Sequence, residues 1–151
     1  MDIPDKLTEI QVKYSRRVSA KQQVKIGNSQ DAFKVLWSLW DMDTIAYQEA
    51  FIILLLNRAN GVIGYRWIST GGITGTVVDA RHIFGVALKC NACGIILAHN
   101  HPSGSNQPSS ADVAITCKLK NGGQLLEISI LDHLIITPQK NYYSFADEGR
   151  L

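Results

Sequence analysis

Residues 94–112 read Gly94-Ile95-Ile96-Leu97-Ala98-His99-Asn100-His101-Pro102-Ser103-Gly104-Ser105-Asn106-Gln107-Pro108-Ser109-Ser110-Ala111-Asp112. The apolar run at the head of this stretch has the length and flanks of a buried strand. Strand side chains alternate, so His99 and His101 leave its end on one face. A Pro/Gly/Ser loop follows. Pro108-Ser109 then opens a helix over 110–121, which puts Asp112 in the first turn, pointing back toward the strand end. Two imidazoles and one carboxylate thereby meet at one end of a sheet. Ser109 and Asp112 also admit a plainer reading, with Ser109 as N-cap and Asp112 as favourable charge at a helix N-terminus. The histidines favour a ligand set over the cap alone, because a purely structural loop gains nothing from two polar imidazoles at a buried strand end.

Outward from this stretch the chain alternates strands and helices. The run Ala50-Phe51-Ile52-Ile53-Leu54-Leu55-Leu56, opened by Glu49, is apolar and long enough for a central strand. It turns at Asn57-Arg58-Ala59-Asn60-Gly61 into an antiparallel partner over 62–69. Ser29 can cap a helix through Trp40 whose Ala32, Phe33, Val35, Leu36 and Leu39 form an apolar stripe. A helix over 79–93 returns the chain to the histidine strand, and Gly122-Gly123 is a good stop for the helix that carries Asp112. Strands near 125–131 and 133–137 complete the sheet, and 11–14 and 23–26 read as short peripheral strands. The pattern predicts an α/β domain, a mixed central β-sheet flanked by helices, over 29–151, preceded by a basic segment over 1–28.

Three protein ligands leave one tetrahedral position open, which separates catalytic zinc sites from closed four-ligand structural ones, and two nitrogens with one carboxylate oxygen suit a borderline-soft ion. Zinc lowers the pKa of bound water to about 7. Such chemistry still wants a nearby carboxylate to take the proton and hand it to the leaving group. Glu49 is the best candidate, since a charged side chain opening a central strand needs a reason.

A glutamate at the start of an upstream strand, then His-x-His, seven residues, Ser, two residues and Asp, is the signature of the JAMM (MPN+) zinc metallopeptidase-like domains, and this chain resembles them at every position. The likeness is greatest to the bacterial RadC-like branch, historically labelled DNA repair proteins. It rests on Val77-Val78-Asp79-Ala80-Arg81, His99-Asn100-His101-Pro102-Ser103-Gly104, Asp132-His133-Leu134-Ile135-Ile136 and Tyr142-Tyr143-Ser144-Phe145, and it runs from about Ser29 to the C-terminus. The resemblance implies a cytidine-deaminase-like architecture. It implies His99, His101 and Asp112 as zinc ligands, Glu49 as the general acid/base acting on a zinc-bound water, and Ser109 as a hydrogen-bond donor to the tetrahedral intermediate. The implied reaction is amide or isopeptide hydrolysis on a peptide or isopeptide-linked protein. A DNA repair-associated, nucleic-acid-binding function is the alternative, and a scaffold without catalysis is disfavoured by the complete ligand set.

Other polar features read as structural. Cys90-Asn91-Ala92-Cys93 has ligand spacing, but only Cys117 remains as a third thiolate, so the pair reads as small buried apolar residues near a helix end. Zinc deaminases place their Cys-x-x-Cys after a His-x-Glu; here it precedes the histidines. The string His99-Asn100-His101 is not an HNH nuclease, whose named residues are spread over a hairpin and helix. Asp132-His133 is either support behind the ligands or a satisfied polar pair in a sheet, and we favour the structural role. His82 reads as a solvated helix residue.

At 151 residues and 46% hydrophobic content the chain suits one compact domain with a sizeable core. No apolar run reaches the ~20 residues that span a bilayer. Residues 1–6 lack a secretory pattern. Three cysteines do not make a disulfide framework, which fits a reducing, cytoplasmic setting. Net charge is only +2, a weak case for nucleic acid. The first 28 residues carry six basic and three acidic side chains. They could touch phosphate, although a solvated arm or partner-binding strand is the favoured reading.

Overall fold

The computed structural model describes residues 7–71 and 77–151. Within them, a five-stranded mixed sheet is flanked by three α-helices. In chain order these are α1 (Ser29–Leu39), β1 (Ala50–Leu56), β2 (Val62–Thr70), α2 (Ala80–Lys89), β3 (Gly94–Asn100), α3 (Ser110–Leu125), β4 (Ser129–Thr137) and β5 (Asn141–Ser144). The strand order is β2-β1-β3-β4-β5. The β3/β4 pair is parallel and the other three pairs are antiparallel.

The uninterrupted apolar runs of β1 and β3 follow from their position, since both lie inside the sheet and are covered on both faces. Alternation sorts β1. Ile52, Leu54 and Leu56 pack with Ala32, Phe33 and Leu36 of α1, whereas Phe51, Ile53 and Leu55 pack with Ile83 and Phe84 of α2 and Leu119 of α3. Each such side chain, fully buried, contributes roughly 1.5–3 kcal/mol.

Several expected boundaries move. Asn28, not Ser29, caps α1, its side chain accepting the Asp31 amide; the Ser29 hydroxyl instead meets Asp147 and Tyr142. The helix expected over 79–93 is shorter, with Asp79 as its N-cap and Cys90 as its C-cap. Gly122-Gly123 does not stop α3, which continues to Leu125. The glycines serve close packing there, because a Cβ on Gly123 would collide with the Ile128 carbonyl. The two strands expected around Asp132 are one, and β5 is an addition. Residues 11–14 form no strand, and of 23–26 only Lys25 makes a bridge, to Gly61. The reading of residues 1–6 lies outside the described residues.

This topology sets the site. Antiparallel pairing of β1 with β3 places Phe51 opposite His99, so the start of β1 and the end of β3 share one end of the sheet. Parallel pairing brings β4 alongside, with His133 opposite Leu97.

Candidate metal centre

His99, His101 and Asp112 come together at that end of the sheet, each offering a ligand atom within 4.8 Å of the others. Asp112 reaches both rings, with Oδ1 3.1 Å from His99 Nε2 and Oδ2 3.3 Å from His101 Nε2. The two Nε2 atoms are 3.0 Å apart. His99 is buried and stacked parallel to Phe51; the side chains of His101 and Asp112 are only 16% and 13% exposed.

The cap and the ligand set coexist. Ser109 Oγ accepts the Asp112 amide at 3.1 Å, and Asp112 Oδ2 accepts the Ser109 amide at 2.7 Å, a reciprocal capping box. The helix terminus therefore fixes the carboxylate while both its oxygens still face the imidazoles. Ser109 uses a lone pair in this cap, so its O–H remains able to donate. Glu49 lies immediately before β1, half-buried, outside the ligand cluster but lining the same cleft of about 600 Å³ with Ser109 and the three ligands. Its carbonyl accepts the Gly71 amide at 2.7 Å.

The donor set fits a metal ion. His101 Nδ1 lies 2.8 Å from the Ser105 carbonyl. A carbonyl only accepts, so the proton of a neutral His101 ring sits on Nδ1 and the bare Nε2 faces His99 and Asp112. Without metal, Asp112 favours a proton on that nitrogen. The hydrogen bond to Asp112 raises the His101 pKa above its ordinary 6.5, against the opposing effect of burial, and the Ser105 carbonyl and Glu49 charge assist. Burial would raise the Asp112 carboxyl, but the hydrogen bond with His101 and the neighbouring His99 ring outweigh it and hold that carboxyl far below the usual range.

Asp132 and His133 part company. Asp132 accepts from Ser144 Oγ at 2.6 Å and from the Ala146 and His133 amides at 3.0 and 2.7 Å, clamping β4 to the C-terminal turn. Burial lifts its carboxyl above the ordinary value against those bonds. His133, read as structural together with it, instead places Nε2 2.8 Å from His99 Nδ1. Burial holds this ring well below pKa 6.5, hence neutral. A histidine inside Ile130-Leu131-Asp132-His133-Leu134-Ile135 signals that a partner exists, but naming it needs the β3/β4 register. Asn100, between the two histidines, points to the opposite face and binds the segment around Glu49, a role that no local sequence signal reveals. The cysteines are free thiols, with Cys90 partly buried and Cys93 and Cys117 exposed, so the reading of the Cys90/Cys93 pair as buried apolar residues fails for Cys93. His82 is exposed, as expected.

A His-His-Asp cluster at the end of a mixed sheet, beside the N-terminus of a helix, defines a JAB-type domain able to hold a metal ion. Residues 26–150 match the RadC-like JAB domain family, and the chain belongs to it. It is 49% identical over 125 residues to a UPF0758 protein of Flavobacterium johnsoniae, covering 83% of this chain and 53% of that protein. A UPF0758 protein of Staphylococcus haemolyticus is 39% identical over 128 residues, 85% of this chain and 54% of that one. One from Porphyromonas gingivalis is 36% identical over 137 residues, 91% and 60% respectively. The chain thus spans just over half the length of these relatives. Among the described residues no helix is long and apolar enough to cross a membrane.

Proposed function

We propose that this domain is a zinc-dependent hydrolase of amide or isopeptide bonds. The observation that carries the reading is the convergence of His99, His101 and Asp112 in a cleft that Glu49 also lines from outside the ligand cluster. His99, His101 and Asp112 would hold the ion, leaving a coordination position open. Bound zinc supplies Lewis acidity, polarising a carbonyl and acidifying water. Glu49 takes a proton from the attacking water and returns it to the leaving nitrogen as the C–N bond breaks. Ser109 donates its hydroxyl proton to the developing oxyanion.

The charge of the cleft favours an amide over a phosphodiester substrate. No lysine or arginine is among the described residues that line it, so no side-chain cation stands there to pair with a phosphate. Tyr14, in the described part of the basic N-terminal segment, contacts the other end of the sheet. Tyr14 donates to the Ile63 carbonyl, at the end of β2 that pairs with Leu55 and Leu56 rather than with Ala50, roughly 20 Å from the cleft at ~3.3 Å per residue.

The test is metal content after purification without added zinc, paired with a hydrolysis screen over peptide, isopeptide and nucleic-acid substrates. Wild type and Glu49→Gln retain about one zinc per chain and His101→Ala loses it; Glu49→Gln loses hydrolysis by about 10²–10⁴-fold. A wild type that takes up no zinc on reconstitution overturns the reading.

A further inference from the structure

Behind the ligand cluster runs a chain of hydrogen bonds whose direction is set by one atom. Thr116 Oγ1 lies 2.6 Å from the Asp112 carbonyl oxygen and 2.6 Å from His133 Nδ1, and His133 Nε2 lies 2.8 Å from His99 Nδ1. The carbonyl oxygen has no proton to give, so the single Thr116 hydroxyl proton points to it. Thr116 can then only accept from His133, which places the His133 proton on Nδ1. The Nε2 of that neutral ring is bare and accepts from His99 Nδ1–H. His99 Nε2 is left with its lone pair directed at Asp112 Oδ1 and His101 Nε2. The chain begins at the main chain of one ligand, Asp112, and ends on the ring of another, His99.

We infer that His133 is a positioning residue of the metal centre, holding His99 through Nδ1–H···Nε2 in the tautomer and orientation that present Nε2 for coordination, with Thr116 fixing the direction of the relay. The inference rests on the metal reading above. A ring with 0% exposure, stacked on Phe145 at 5.0 Å and tilted against Phe51, would serve packing equally well as phenylalanine and without the cost of burying two polar atoms. Its nitrogens have a use only along the relay. Outer partners of ligating histidines are most often carboxylates or carbonyls. A neutral imidazole here withdraws less of the His99 proton than a carboxylate would, and so adds no negative charge behind the ion.

The experiment compares zinc affinity, by competition with a chelator, in wild type, His133→Phe and Thr116→Val, with circular dichroism to verify folding. His133→Phe keeps the ring between Phe51 and Phe145 but leaves the His99 Nδ1–H without an acceptor. The ring can relieve this only by moving its proton to Nε2, the coordinating atom. The expected result is zinc binding weakened by about 10–100-fold in His133→Phe, and by less in Thr116→Val. Long-range proton–nitrogen NMR of wild type, loaded with zinc, gives a readout independent of any variant, with protons on His99 Nδ1 and His133 Nδ1. A His133 proton on Nε2, or a folded His133→Phe that binds zinc within about twofold of a tightly binding wild type, overturns the relay while leaving the metal reading intact. A wild type without zinc affinity overturns both.

Discussion

Asn100 Oδ1 accepts the Ala50 amide at 2.8 Å, tying the residue between the two imidazoles to the residue that follows Glu49. The same side chain donates to the Ile45 and Gln48 carbonyls at 2.7 and 2.9 Å. All hydrogen-bonding positions of the Asn100 amide except one oxygen lone pair are therefore used, on both sides of Glu49. His99 and Asn100 divide the work of β3, one facing the ligand cluster and the other seating the segment from which Glu49 enters the cleft.

Substituting Asn100→Leu fills similar space but leaves the Ala50 amide and two carbonyls unpaired, each at about 1–3 kcal/mol if it stays buried. The variant is expected to lose hydrolysis by about 10²-fold through misplacement of Glu49 while keeping its zinc. Metal content and urea unfolding measured beside the activity decide this. Loss of zinc in parallel with activity would show that Asn100 acts on the ligands instead.

Ser109 is both cap and candidate donor, and glycine separates the roles. Glycine at an N-cap costs only a few tenths of a kcal/mol, so Ser109→Gly should melt within about a degree or two of wild type. Hydrolysis should nevertheless fall by about 10²–10³-fold, as for removal of an oxyanion donor. Full activity in Ser109→Gly would reduce Ser109 to a helix cap.

The Gly123→Ala substitution probes the seat of α3. The added methyl meets the Ile128 carbonyl, which is main chain and cannot swing aside, so the helix must shift from β4. A destabilisation of about 1–3 kcal/mol is expected, read from the urea midpoint. An unchanged midpoint would show that α3 moves freely, contrary to its role in holding Asp112.

What the sequence made legible follows from locality. The strand ending in His99 and His101, the loop and the Ser109–Asp112 cap are contiguous, so alternation and capping rules place them. The core strands declared themselves by unbroken apolar runs. A charge opening an apolar strand nominates Glu49, but its nearness to the histidines rests on family likeness, because nothing local relates the start of β1 to the end of β3. The role of His133 depends on a parallel pairing with a register shift between Ile95 and Ile96, which periodicity does not encode. Gly122-Gly123 misled for a related reason: the same residue type that ends helices also permits close packing, and only the Ile128 carbonyl decides between them.

Titration of His101 gives the last prediction. Its pKa in the folded, metal-free protein is raised above 6.5, chiefly by the hydrogen bond to Asp112. Its contribution to stability is therefore complete below pH 6.5 and lost as pH rises through the folded value. Asp112, with its pKa lowered from 3.8, holds its contribution above that value and loses it only in acid. His133, lowered from 6.5, likewise holds its contribution above that value and loses it as pH falls. On the alkaline side of pH 6.5, His101 is thus the member of this cluster whose stabilisation fades. With chelator present, the urea midpoint of wild type should fall as pH rises above 6.5 through the folded His101 value, while that of His101→Ala stays level. Zinc requires the deprotonated ring, so its affinity should strengthen over the same interval, by at most about tenfold per pH unit for this one proton. A metal-free wild type that gains stability across the interval, or zinc binding that ignores pH, would show that no proton is held between His101 and Asp112 for the metal to displace.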